Sequence, residues 1–578
     1  MIDKSQKENE NAGALEHYNK SQELKITYRT EEALLEINNA LNLHPKFAKA
    51  YTLRSELYEK MKLYDKALED ANQSISINNN DPESYYQRAT IYWRKQLYDQ
   101  AIQDCMKCVE INKDFSMGYC RMGTILSELK QKDNELKYYN DAIEKDRNCY
   151  YAFMCRGQYY MNEKLTDYAI RDFKKAIEIN PKYNLTYINR GILYEEIGEK
   201  DKALNDYNQA IQLDPKYSIA YSYRGYLYYD IGEKDKALYD YNQAIQLDEK
   251  CEQAYFNRGI LYYDIGEKDK ALNDYNQVIQ LDPNDAMVFY NRGCLYNCIG
   301  EKDKALNDYN QVIQIDPKCV SAYNNRGILY EQIGEKDKAL NDYNQVIQID
   351  PNYSLAYIVR GNFYEEIGEK DKALNDFTQA IQLDSKLAVA FYNRGNLYDD
   401  IGEKEKALND YNQAIQIDPN YSSAYNVRGN IYKDIGEKDK ALNDYNQAIK
   451  IDPKNEYAYI NRGILYKCIG EKDKALNDYN QAIQIDPKYV SAYNKRGILY
   501  SSIGEKDKAL NDYNQAIQLN PNDSNAYLYR GITLNDQKQY EQAIISYNKA
   551  ILLAQDQFYT YIKKGFILNI IKQFHQQI

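Results

Sequence analysis

Residues 184–217 read NLTYINRGILYEEIGEKDKALNDYNQAIQLDPKY. In the first half Tyr187, Gly191 and Tyr194 fall on one face at helical spacing, with Leu193 and Ile197 beside them, so this half predicts a helix. Gly198 interrupts the pattern. From Asp201 onward Ala203, Leu204, Tyr207, Ala210 and Ile211 recur at helical spacing, predicting a second helix. It ends at Asp214-Pro215, because the residue before a proline avoids the helical region. The unit is a helical hairpin, with Gly191 and Ala203 as small residues where the two helices can approach. Two short helices cannot bury both faces alone, so the hairpin must stack on copies of itself.

The copies are present. Of 26 glycines, fourteen from Gly123 to Gly565 fall at intervals of 34 residues, and ten from Gly198 to Gly504 form a second series of the same period. Ten of the eleven prolines, all but Pro82, share one column with Pro181, Pro215 and Pro521. A 578-residue chain would ordinarily suggest three or four domains, but a fixed period makes it one array. Register gives sixteen repeats over 14–557 and a half repeat over 558–578. Residues 1–13 read as a polar N-terminal tail, 14–183 as diverged repeats, 184–523 as near-identical repeats carrying GEKDKALNDYNQ or close variants, and 524–578 as the last repeat and a C-terminal capping helix. In the diverged part Ser21, Ser55 and Ala89 replace the first-helix glycine, and Glu135 replaces the alanine. The closing segment 566–574 is polar on one side through Asn569, Lys572 and Gln573, as the end of an array requires.

Tyr187, Arg190-Gly191, Tyr194, Ala203, Tyr207 and Pro215 resemble the tetratricopeptide repeat, with Tyr for Trp, Arg for Leu and Tyr for Phe. The resemblance implies an all-α fold, a right-handed superhelical solenoid of antiparallel helix pairs whose first helices line a concave groove. It implies an interaction scaffold that takes an extended peptide or protein partner, or the targeting subunit of an enzyme complex whose catalytic chain is separate. The RNA-reading pentatricopeptide relatives keep a 35-residue period and lack this aromatic pattern.

Composition excludes other classes. The net charge of -12 has the wrong sign for neutralising phosphates, so no nucleic acid is expected. No apolar run is long enough to span a bilayer, and MIDKSQKENENAG lacks a signal-peptide core, so the expected place is the cytoplasm, with nucleus and cytoskeleton left open. Three histidines leave little material for a catalytic or metal centre. No nucleophile, base and orienting group is unique to one place, so no enzyme, catalytic residue, metal or cofactor is expected. Cys105-x-x-Cys108 falls in the columns of Tyr207 and Ala210, which are packing positions, and no second pair completes a metal set.

Four column patterns remain. Arg190 recurs through Arg530, and Asp206 recurs through Asp512; where the arginine becomes Met122 the aspartate becomes Tyr138, so the columns read as partners, within a repeat or between neighbours. Arg530 is the exception, facing Ser546. Asn189, Asn257, Asn291, Asn325, Asn393 and Asn461 share one first-helix column that resembles the asparagine ladder of O-linked N-acetylglucosamine transferases, where amides hold a peptide backbone; an amide offers both donor and acceptor. Val359, Val427 and Lys495 interrupt it, and a polar surface column in an Asn-rich chain is the plainer explanation. Glu195, Glu196, Asp230, Asp264, Glu331, Glu365, Glu366, Asp399, Asp400 and Asp434 fill two adjacent columns near the end of the first helix. Held along one groove they would favour a basic ligand; the plainer explanation is a solvated face. Finally, the Ile188 column (Tyr18, Thr52, Tyr86, Cys120, Met154, Ser222, Phe256) holds no lysine, so the clamp that binds chaperone C-terminal tails is absent. In the columns of Tyr187, Tyr194 and Tyr207 stand 37 of the 63 tyrosines, so most of that excess is packing copied many times. Tyr229 and Tyr263, beside the acidic columns, are groove candidates.

Overall fold

In the computed structural model, which describes residues 2–26, 29–553, 569, 572 and 573, the chain is helical from Ile2–Ile26 to Tyr540–Leu553. Thirty-two helices are described, with no strand among the described residues, and fifteen successive pairs of them pack as hairpins inside the two units. The chain divides into two compact units, 1–301 and 302–578, and the same packing operates inside each. Residues expected as a polar tail are helical from Ile2 and run without a break into the first helix, Ile2–Ile26. The expected closing helix lies outside the described residues, apart from Asn569, Lys572 and Gln573.

The reference hairpin consists of Asn184–Glu196 and Lys200–Leu213. Between them Gly198 has φ +78°, and the Glu199 amide donates back to the Tyr194 carbonyl at 2.8 Å, closing the helix end in the left-handed conformation that suits glycine. The second helix stops where the Asp214 carboxylate accepts the Lys216 amide at 3.0 Å, a local turn that Pro215 reinforces. In the diverged repeats the Gly198 column holds Lys62, Gln96, Lys130 and Lys164, all still at φ between 57° and 61°. The turn is imposed by the fold there, against the preference of the residue.

Gly191 answers to a ring. A Cβ at Gly191 would sit 2.5 Å from Cε1 of Tyr207, which is wholly buried between the two helices. Where the diverged repeats replace this glycine, the facing residue shrinks: Ser21 stands over Ile37, Ser55 over Ala71 and Ala89 over Cys105. The added hydroxyls are satisfied by Ala33 and Ala67 carbonyls at 2.8 and 2.7 Å. The smaller facing residue leaves room for the added Cβ and hydroxyl, so the two positions change together. The next repeat docks Ala220 and Leu227 onto the same core as Tyr187, Ile188 and Tyr207.

The arginine and aspartate columns pair inside a repeat and not between neighbours. Arg190 Nε and Nη2 meet the two carboxylate oxygens of Asp206 at 2.8 and 2.7 Å, and Arg326 binds Asp342 in the same way, which excludes the preceding Asp308 as its partner. The third guanidinium nitrogen reaches back one repeat: Arg224 Nη1 donates to Asn208 at 2.7 Å and Arg326 Nη1 to Asn310 at 2.5 Å. At Arg190 that position is Lys174, which offers no acceptor. Rings of the Tyr187 and Tyr194 columns flank the guanidinium of Arg190 at 5.8 and 5.7 Å. The first repeat carries the same pair as Lys20 and Glu36 at 2.6 Å. Arg530 reaches Ser546 at 3.1 Å. These bonds satisfy nearly buried carboxylates and fix how neighbouring repeats meet.

Candidate functional site

Within each unit, first helices of successive repeats touch one another, as Ser84-bearing Pro82–Arg94 does Ser116–Glu128 and Ser218–Asp230 does Glu252–Asp264, whereas second helices make no comparable contact. The first helices are thus the more closely gathered layer, and the asparagine and acidic columns ride on it.

The asparagine column does not present six equivalent amides. Asn189 is buried. Asn291 Nδ2 donates to its own helix at the Met287 carbonyl (2.9 Å), Asn393 to Asn362 (2.8 Å) and Asn461 to Asn426 (3.0 Å). Asn325 keeps its place in the column on the helix Val320–Gln332. Asn257 differs: it is 9% exposed and its Nδ2 has no partner.

The acidic columns are also partly engaged. Lys200 binds Asp230 at 2.6 Å and Lys404 binds Asp434 at 3.2 Å, each lysine opening the second helix of the preceding repeat. The buried Tyr207 hydroxyl donates to Glu195 at 2.8 Å and Tyr343 to Glu331 at 2.7 Å, so these carboxylates serve the ring that fills the hairpin. Tyr229 donates to Asp264. Burial, with neighbouring acids adding to it, raises the Glu195 carboxyl above its ordinary range; Glu331 is raised by burial and by Glu366, Glu365 by burial and Asp400, and Asp399 by burial and nearby aspartates. Holding several negative charges here costs free energy that a cation would relieve.

Both columns converge at one place. A cavity of about 430 Å³ is lined by Ile192, Glu195 and Glu196 of Asn184–Glu196, Tyr223, Tyr226 and Asp230 of Ser218–Asp230, and Gln253 and Asn257 of Glu252–Asp264. It combines three carboxylates, two phenol rings and two amides. Of the residues singled out from sequence, Glu195, Glu196, Asp230 and Asn257 meet here; Asp264, Asn189 and Asn291 do not line it, and Asn325, Asn393, Asn461, Glu331, Glu365, Glu366, Asp399, Asp400 and Asp434 belong to the other unit or its repeats. Tyr223, Tyr226 and Gln253 were not singled out. Tyr226 could have been found, since it puts an aromatic ring in a column that holds Ile192 and Ile260 in flanking repeats. Tyr263, by contrast, is exposed outside the cavity.

The cysteines add no chemistry to this site. All ten are free, and burial pushes the Cys105 thiol up to about 12, which suits packing. Among the described residues no group of His, Cys, Asp or Glu is placed to hold a metal ion, and no helix is long and apolar enough to cross a membrane.

Comparison with known sequence families agrees with the hairpin geometry. The tetratricopeptide repeat profile matches residues 185–217, 252–285, 320–353, 388–421 and 490–523, and related profiles match 48–81, 82–115, 118–149, 152–183, 355–387 and, as TPR repeat, 225–266, 295–334, 429–470 and 469–504. A search of curated proteins finds no match. Among solved structures the chain is similar to the APC/C hetero-tetramer Cut9-Hcn1 (17% identity, 84% of this chain and 96% of that one, TM-score 0.44) and to MamA (30% identity, 28% and 95%, TM-score 0.26). It is also similar to YrrB, described as a TPR protein with an unusual peptide-binding site (22% identity, 32% and 95%, TM-score 0.27). With helical hairpins repeating inside each unit and repeat profiles matching along most of its length, the chain belongs to the tetratricopeptide-repeat family.

Proposed function

We propose that the protein is a non-catalytic scaffold that holds an extended, basic segment of a protein partner against its first helices, centred on the cavity between Glu195 and Asn257. Arrays of this kind bind partners along the surface that stacking creates. The observation that carries the reading is the convergence of Glu195, Glu196 and Asp230 with the unpaired Asn257 amide in one cavity. The amide donates to a backbone carbonyl, the carboxylates receive a lysine or arginine, and Tyr223 and Tyr226 offer ring faces to its cationic end or stem. Chaperone tails, whose terminal carboxylate needs a basic clamp, and nucleic acid, whose phosphates these acids repel, do not fit this chemistry.

The test is photo-crosslinking from the cavity. With a photoreactive phenylalanine analogue at Ile192, captured partner segments sequenced by mass spectrometry should contain lysine or arginine beside the crosslink. Capture should fall when Glu196→Gln and Asn257→Ala are combined. Capture of segments without basic residues, at equal yield in the double variant, refutes the proposal.

A further inference from the structure

The cavity at Glu195 has a counterpart in the second unit, in the same register, with the opposite charge. Eight repeats further along, the column of Glu195 holds Lys467, that of Glu196 holds Cys468, that of Asp230 holds Ser502 and that of Tyr223 holds Lys495. A cavity of about 440 Å³ lies here, walled by Asn494, Lys495 and Ile498 of Val490–Ser502, by Asp523, and by Asn525 and Tyr529 of Ser524–Asp536. Lys495, Ile498, Asn525 and Tyr529 take the places that Tyr223, Tyr226, Gln253 and Asn257 take in the acidic cavity. One groove position is thus built once around carboxylates and once around lysine.

Lysine is rare on this layer. The seven near-copy first helices from Asn184–Glu196 to Ala388–Asp400 carry none, and the next three carry Lys433, Lys467 and Lys495. Lys433 has Asp434 at 3.7 Å. Lys467 and Lys495 make no ion pair among the described residues; the charge that acts on Lys467 is the neighbouring Lys495, which together with burial, the larger cause, pushes it below its ordinary range. Holding two like charges here costs free energy that an anion relieves. Asp523, the acid in the wall, is engaged elsewhere: it caps the next helix by accepting the Asn525 amide at 2.9 Å and accepts from Asn494 Nδ2 at 2.5 Å. Its charge, and the net -12 of the chain, disfavour a ligand made of many phosphates. A single carboxylate on a short apolar stem suits a wall that sets Ile498 and Tyr529 beside an ammonium.

We propose that Lys495, from the cavity wall, and Lys467 beside it form a subsite for an aspartate or glutamate side chain of an extended segment of a protein partner. The subsite is separate from the cavity at Glu195 and stands or falls independently of it.

The full-length protein is titrated, by fluorescence anisotropy at fixed ionic strength, with a dye-labelled, end-capped peptide of alternating glutamate and alanine and with its glutamine counterpart. Capping removes the terminal carboxylate, so side chains alone are read. The glutamate peptide should bind saturably and at least tenfold tighter than the glutamine peptide. Lys467→Asn with Lys495→Asn, which copies Asn297 and Asn461 of the same columns, should weaken binding at least tenfold with the melting temperature unchanged. Glu196→Gln with Asn257→Ala should leave it as it was. In the wild type a water-soluble carbodiimide should join the peptide's glutamates to Lys467 or Lys495, located by mass spectrometry of the digest. No saturable binding, equal affinity for the two peptides, undiminished binding in the lysine variant, or crosslinks spread over other lysines instead overturns the proposal. Inorganic phosphate that competes as strongly as the glutamate peptide overturns it too, by making the place a general anion site.

Discussion

The diverged repeats over 14–183 and the near-copies over 184–523 solve the same packing problem with different residues. In the near-copies a glycine lets a tyrosine or phenylalanine ring fill the hairpin; in the first three repeats a serine or alanine faces Ile37, Ala71 or Cys105. In the near-copies glycine makes the turn, where the diverged repeats force lysine or glutamine to the same positive φ. The ion pair passes from Lys20 and Glu36 to Arg and Asp, and disappears together at Met122 and Tyr138. Paired positions change together in these repeats, the exception being Arg530, which is kept while its partner becomes Ser546.

The largest expected effect breaks such a pair in one repeat. Asp478→Ala leaves Arg462 without its bidentate acceptor and should cost about 3 kcal/mol of local stability, read as lost amide protection over Lys472–Ile485 by hydrogen exchange. Arg462→Met with Asp478→Tyr, copied from the diverged repeat, should cost less than Asp478→Ala alone. If the double change costs more, paired loss is not what made Met122 and Tyr138 tolerable. Next, Gly463→Ala drives a Cβ to 2.6 Å from Tyr479 and should cost about 2 kcal/mol, partly recovered by adding Tyr479→Cys, the Ala89 and Cys105 solution. Smaller still is the hydroxyl. Tyr207→Phe removes the donor to Glu195 and should lose about 1 kcal/mol, whereas Tyr241, whose hydroxyl has no partner, should accept phenylalanine without loss. Thermal melts of the two variants side by side decide this.

Much of the fold was legible because it is written sixteen times. Period, helix pairs and the Arg190 and Asp206 columns followed from spacing and charge. The direction of pairing, Asp342 rather than Asp308 for Arg326, did not, because both lie one helix away in register and only the crossing of the helices separates them. The candidate site was half legible. Glu195, Glu196, Asp230 and Asn257 stood out as columns, yet a column cannot show that Asn393 bonds to Asn362 or that Lys200 neutralises Asp230. Those depend on neighbours a full repeat away.

The acidic cavity also has a pH signature. Glu195 is held above its ordinary range by burial, so its protonated form is favoured in the folded array. Its contribution to stability is therefore greatest below the ordinary carboxyl value of about 4.3 and is lost as pH rises through the raised one. Affinity for a basic segment runs the opposite way, falling as acidification protonates Glu195 before ordinary surface carboxylates.

The most direct test is the affinity of the full-length protein for an extended lysine-containing peptide, compared with Glu196→Gln combined with Asn257→Ala. Binding should weaken at least tenfold in the variant, and the wild-type affinity should fall steeply as salt rises. Equal affinities in the two proteins, independent of salt, would contradict a basic segment held between Glu195 and Asn257.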